Sequence, residues 1–196
     1  MIMEEFQLVI RWLHVIAGVA WIGHLYFFNF VNVPLQGALD DAGKKAVNPQ
    51  LMPRALWWFR WGAMITFLAG LVLFYLLYMQ GGLMRDADGN LSMRAKWAMM
   101  GMTLGSVMWF NVWFIIWPAQ KKLLGGTAGD AAPVLRKRAL LASRTNTFLS
   151  APMLMGMVVA SHPVGNSTVM AGVAVASMAV IWLAIQSSYT VGKSVN

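Results

Sequence analysis

The chain has 196 residues, of which 59% are hydrophobic and 11% charged, and a formal net charge of +8; its mean hydropathy is +0.60. Several runs of about twenty apolar residues, each long enough to span a bilayer as a helix, exclude a soluble domain. The basic excess reads as membrane orientation rather than nucleic-acid binding. The lack of cysteine excludes disulfides, thiolate metal sites, iron–sulfur clusters and covalent haem attachment through C-x-x-C-H.

The expected fold is all-α: one integral membrane domain over residues 1–196 with about five transmembrane helices. Met1 to Glu5 carries two carboxylates and no basic residue, unlike the positive start of a secretory signal, so the first apolar run is read as a retained helix. It covers about 6–33 and is expected to stop at Pro34. The polar stretch from Leu35 to Leu56 leaves room for a short surface helix. A second helix, about 57–78, opens on Trp57-Trp58-Phe59-Arg60-Trp61, an aromatic-belt pattern from which Arg60 can snorkel. Gly81-Gly82 and Asp88-Gly89-Asn90 mark turns. The third helix, about 97–117, is expected to end at Pro118. Its Trp109, Trp113 and Trp117 recur every four residues, which reads as packing and belt, and Gly101 and Gly105 form a small-residue contact face. Asn111 lies within this span and is expected to bond to a neighbouring helix. After the polar segment from Pro118 to Arg144, the fourth helix covers about 145–161, kinked at Pro152, and the fifth about 169–189.

Five spans place the termini on opposite sides. One side collects Lys44, Lys45, Arg54, Arg60, Lys121, Lys122, Arg136, Lys137, Arg138, Arg144 and Lys193, against Arg11, Arg85, Arg94 and Lys96 on the other. That asymmetry puts the N-terminus outside and the C-terminus in the cytoplasm. The expected location is a bacterial-type inner membrane.

The first helix carries His14 and His24, two of the chain's three histidines. An imidazole in hydrocarbon is costly unless something binds it, so each is a functional candidate. Arg11, Ala17 and Gly18 share the face of His14. A haem could use that face: His14 as ligand, the small residues as room for the ring, Arg11 for a propionate. The alternative is that Ala17 and Gly18 admit a neighbouring helix and His14 hydrogen-bonds to it. His14 lies about 12 Å below the outer surface, and His24 about 15 Å deeper and about 80° around the helix, so the two cannot hold one iron from opposite faces. His162, at the outer end of the fourth helix, shares the outer half with His14. The pair to test as bis-histidine ligands of haem b is therefore His14 with His162, leaving His24 as a further candidate ligand. No Asp or Glu lies inside any span, which argues against a proton-coupled transporter.

Three blocks resemble a known family. They are Arg11-Trp12-Leu13-His14-Val15-Ile16-Ala17-Gly18-Val19-Ala20-Trp21-Ile22-Gly23, continued by Tyr26-Phe27-Phe28-Asn29-Phe30-Val31-Asn32; Asn111-Val112-Trp113-Phe114-Ile115-Ile116-Trp117-Pro118-Ala119-Gln120-Lys121-Lys122; and Ser143-Arg144-Thr145-Asn146-Thr147-Phe148-Leu149-Ser150-Ala151-Pro152 through Ser161-His162-Pro163. They are similar to the membrane domain of PuuD-type urate oxidases (urate hydroxylases). The resemblance implies oxidation of urate towards 5-hydroxyisourate, with electrons delivered to a c-type cytochrome. It carries over to His14, Arg144, Asn146 and His162, with Arg144 and Asn146 as substrate-binding residues. Full-length members carry a fused c-type cytochrome and additional spans; this chain has neither, which implies a separate electron partner. They also have a histidine where this chain has Thr145, which puts the urate chemistry itself in question.

Three functions compete on this reading. The first is a haem b redox protein of the urate hydroxylase type, working with a separate cytochrome. The second is an accessory subunit of a larger respiratory or photosynthetic membrane complex. The third is a porphyrin-handling oxidase, like the small protoporphyrinogen oxidases with a histidine-bearing first helix.

Overall fold

In the computed structural model residues 2–193 are described; residue 1 and residues 194–196, the ends of the expected domain, lie outside the described residues. The chain is all-helical. Among the described residues the only β-type pairing is an isolated bridge between Arg85 and Leu91, which closes the loop between the second and third helical rods.

The first rod is α1 (Ile2–Tyr26), followed without a break by a π-helical turn (Phe27–Asn32) and α2 (Val33–Ala38). The second is α3 (Asp41–Phe74) with a π-helical end (Tyr75–Gln80). The third is α4 (Met93–Phe110), a π-helical turn (Asn111–Ile116) and α5 (Trp117–Leu124). A 3-10 turn (Gly129–Ala131) leads into α6 (Ala132–Val159), and α7 (Ser167–Ser187) completes the bundle. Among the described residues four segments are long and apolar enough to cross a membrane: Met3–Ala38, Asp41–Gln80, Met93–Leu124 and Ser167–Ser187. The remaining rod, α6, holds Arg136, Lys137, Arg138 and Arg144 in its first half.

Several expected boundaries are corrected. Neither Pro34 nor Pro118 ends its helix, and the reason is the wide turn before each. The N–H of Val33 reaches back five residues to Phe28 O, and that of Trp117 to Val112 O. A π turn shifts the backbone register by one residue, so the proline that follows does not meet the carbonyl it would otherwise clash with. The polar stretch from Leu35 to Leu56 is not a loop with a short helix; most of it is the start of α3, which runs past Pro49 and Pro53 and is capped by Asp40, whose carboxylate accepts from Gly43 N at 2.7 Å. The fourth helix starts at Ala132 rather than near 145, with Pro133 in its first turn, and runs past Pro152.

Two glycine contacts hold the rods together. A Cβ on Gly62 of α3 would stand 3.0 Å from Trp21 N and 3.2 Å from Ala17 O, so α1 and α3 meet backbone to backbone. A Cβ on Gly156 of α6 would stand 2.7 Å from Gly101 N and 2.7 Å from Trp97 O, which brings α4 and α6 equally close. Close approach of this kind drives helix association in lipid, where burial of apolar surface offers little. Gly101 thus belongs to the contact face read from the sequence; Gly105 meets only the Met153 side chain, at 3.8 Å. Trp21, Leu25, Phe28, Leu56, Phe59, Met108 and Val112 fill the space between the two pairs. Large side chains such as Trp12 and Val175 remain exposed, as expected of a surface whose solvent is hydrocarbon.

Candidate functional site

His14 is held by α3. Its Nδ1 lies 2.9 Å from Thr66 O, and a carbonyl only accepts, so Nδ1 carries the proton and Nε2 keeps its lone pair. The ring lies over Gly70, where a Cβ would stand 3.0 Å from His14 Cε1. Gly18 faces the same helix: its absent Cβ would stand 3.8 Å from Thr66 Cγ2. The small-residue face beside His14 is therefore occupied by α3, the helix-packing alternative of the two that the residues left open. Arg11, one turn away, is exposed.

His24 lies in different surroundings. Its Nδ1 is 2.7 Å from Ala20 O in the preceding turn, which again leaves Nε2 with a free lone pair. It borders an open groove of ≈ 550 Å³ between α1 and α3, walled by Val19, Phe27, Leu51 and Trp58 with Gly23 alongside. A Cβ on Gly23 would meet nothing within 4 Å. Arg54 stands at the rim; its guanidinium donates to the backbone oxygen and to Oε1 of Gln50.

His162 is exposed in the turn between α6 and α7. That turn is pinned to α4: Arg94 Nη2 donates to Ser161 O at 3.2 Å, and Trp97 Nε1 to Val164 O at 3.2 Å. His14 rests on α3, while the turn that carries His162 is bonded to α4. Among the described residues no cluster of three or more His, Asp or Glu side chains is placed to hold a metal ion.

Arg144 and Asn146 differ sharply in accessibility. Arg144 is half-buried; its Nη2 donates to the Tyr189 hydroxyl at 2.6 Å, while Nη1 is buried without a partner. Asn146 is wholly buried. Its Nδ2 donates to Met108 O at 2.9 Å, and its Oδ1 accepts from Asn111 Nδ2 at 2.8 Å. Both ends of the Asn146 amide thus make helix–helix bonds. The same layer contains Tyr26, whose hydroxyl is 2.9 Å from Ser150 Oγ, and Asn29, whose Nδ2 donates to Ser143 Oγ at 2.8 Å.

The wide turns contribute to this layer directly. Asn29 and Asn111 sit on the π segments Phe27–Asn32 and Asn111–Ile116, and such turns often re-aim side chains at functional positions. On the far side of Asn111 an open groove of ≈ 410 Å³ runs along α6, with Lys137, Arg138 and Thr145 on its wall.

Comparison with known families decides the kinship. The family described as Urate oxidase N-terminal matches residues 1–45, 36–88 and 86–195. The chain belongs to the urate oxidase N-terminal family. Neither a curated protein nor a solved structure matches it. For this urate oxidase N-terminal chain, the match covers every helix described above.

Some of the site was missed in the sequence. Gly70, which makes room for the His14 ring, looks like any glycine in an apolar span; the spacing Gly62-x-x-x-Thr66-x-x-x-Gly70 was the available signal. The groove at His24 needed residues from the stretch expected to be polar surface, Gln50, Leu51 and Arg54. The bond from Asn111 was anticipated, but its partner on α6 was not.

Proposed function

We propose that this chain is the membrane-embedded redox part of a urate-oxidising system of the PuuD type, with a b-type haem in the groove at His24 and a separate c-type cytochrome as electron acceptor. The observation that carries the cofactor is the His24 groove itself: an unshared imidazole lone pair, apolar walls, open space beside Gly23 and one cation at the rim. Its ≈ 550 Å³ lies in the range of pockets that hold cofactor-sized ligands, about 300–1,000 Å³. A bound haem would supply one-electron transfer. His24 would hold it through Nε2, with its Nδ1–H bond to Ala20 O fixing the tautomer, as partner hydrogen bonds do for ligating histidines. Arg54 would meet a propionate, and Phe27 and Trp58 would exclude water. The ligand set first expected, His14 with His162, fits less well, because α3 fills the face beside His14 and His162 stands in an exposed turn.

The choice of urate rests on the family. Its support in this chain is the cluster of cations around one end of the bundle, Lys121, Lys122, Arg136, Lys137 and Arg138 against the single acid Asp130 in the segment from 118 to 144, which raises the local concentration of an anionic substrate.

The test is a visible spectrum of protein purified from cells supplied with haem, followed by urate-dependent reduction of added cytochrome c. A reduced α-band of b type that disappears in His24→Ala and survives in His14→Ala is the expected result. A band lost in His14→Ala alone would move the ligand back to the outer half. A colourless wild-type protein that turns over no urate would overturn the reading and favour a non-catalytic subunit of a larger complex.

A further inference from the structure

The groove beside Asn111 has a polarity that hydrogen bonding alone determines. Met108 O can only accept, so the atom of Asn146 facing it at 2.9 Å is Nδ2, and Oδ1 of Asn146 points the other way. Oδ1 in turn can only accept, so Asn111 turns its Nδ2 towards it, at 2.8 Å. A backbone carbonyl thereby fixes both side-chain amides, and Asn111, which lines the groove, has its carbonyl oxygen left over to present there. Ile115 and Leu141 supply apolar walls, Thr145 a hydroxyl, and Lys137 and Arg138 positive charge, all around ≈ 410 Å³. Lys137 and Arg138 on its wall are exposed, so the groove is reachable from the cationic end of the bundle.

We propose that this groove binds a small planar organic anion carrying ring N–H groups, a cyclic ureide or lactam anion. Lys137 and Arg138 neutralise the charge, and the Asn111 carbonyl accepts a hydrogen bond from a ring N–H. Ile115 and Leu141 pack on the ring faces. Asn146 never touches the ligand; it is a positioning residue that decides which end of the Asn111 amide the ligand meets. The carbonyl also selects. A sulfate ion or a lipid phosphodiester group is an acceptor without a donor, and Asn111 Oδ1 opposes it, whereas a ring N–H satisfies it. The proposal deepens the urate reading by giving that substrate a site, and rests on it for the choice of urate as probe.

The test uses the full chain in nanodiscs, with urate as probe in equilibrium binding under anaerobic conditions. Urate should bind saturably, and excess inorganic sulfate should not displace it. The double variant Lys137→Gln/Arg138→Gln, on exposed positions of α6, should bind about tenfold or more weakly, as expected for lost charge-assisted hydrogen bonds. Asn111→Asp, which sets a carboxylate against the anion, should abolish binding. Unchanged affinity in the double variant, competition by sulfate, or loss of binding when anionic phosphatidylglycerol replaces zwitterionic lipid would each overturn the proposal; the last would mark the groove as a headgroup site. The two readings fail separately. Urate oxidation with unaltered KM in the double variant would sink the groove and spare the function. Urate bound in the groove but oxidised with no acceptor would spare the groove and sink the function.

Discussion

His14 donates from Nδ1 to Thr66 O at 2.9 Å, and its ring fits because position 70 has no side chain. The hydrogen bond and the notch are one device that locks α1 to α3. Gly70→Ala places a methyl 3.0 Å from His14 Cε1 and should push the imidazole back, weakening its bond to Thr66 O. An interhelical hydrogen bond in a bilayer is worth about 0.6–2 kcal/mol, so Gly70→Ala and His14→Ala should each lower stability by about that amount. The double variant should cost less than the sum, since the alanine at 14 no longer meets the methyl at 70. Unfolding in mixed micelles, followed by tryptophan fluorescence, measures all three; strict additivity would refute the coupling.

Gly156 should be far less tolerant. Its hypothetical Cβ is 2.7 Å from the backbone of both Gly101 and Trp97, and backbone has no rotamer by which to retreat. Gly156→Ala should destabilise by about 1–3 kcal/mol, the range for overpacking, by separating α4 from α6. Gly172→Ala is the control: it meets nothing within 4 Å and should leave the thermal midpoint unchanged or raised. Equal midpoints for the two variants would refute the contact.

Replacing Asn146 by leucine leaves Asn111 Nδ2 without its partner inside the bundle and removes one of the bonds to Met108 O, which still accepts from Asn111 N. Unsatisfied buried groups cost about 1–3 kcal/mol each, so Asn146→Leu should be among the most destabilising single changes in α6. Asn111→Leu in that background should recover part of the loss by removing one orphaned donor. Denaturant titration of single and double variants gives the comparison, and no recovery would contradict the paired role.

Arg60 sits on the tryptophan stripe, its guanidinium carbon 3.9 Å from the ring centroid of Trp117 and 5.2 Å from that of Trp113. Cation–π contacts contribute about 0.5–2 kcal/mol. Arg60→Met should therefore lower stability within that range and shift the tryptophan emission. Trp117→Leu should lower it too, and less so when Arg60 is already gone. An unchanged emission spectrum in Arg60→Met would count against the stacking.

Reading the sequence located this chemistry only partly. The tryptophan stripe was expected to pack, and it does: Trp113 meets Trp61 edge to face at 5.6 Å, and Trp109 stacks on Phe67 at 4.4 Å. The prolines misled, because a proline stops a helix only while the turn before it keeps a four-residue register, and nothing in Phe27–Asn32 or Asn111–Ile116 announces a five-residue one. The surroundings of the two histidines on α1 were not legible either. His14, with small residues on its face, bonds α1 to α3 through Thr66 O. His24 borders a groove whose opposite wall comes from residues 50–58 of α3, beyond the reach of any local pattern.

By itself the sequence determined the helical class, the number of long helices and their family, since apolar length and local motifs are properties of consecutive residues. Only tertiary structure decided which small residue meets which helix, which histidine keeps open space beside it, and which way the Asn111 amide points. Those outcomes depend on close backbone approach and on a hydrogen-bond chain that begins at one carbonyl, Met108 O, thirty-eight residues from the side chain it orients.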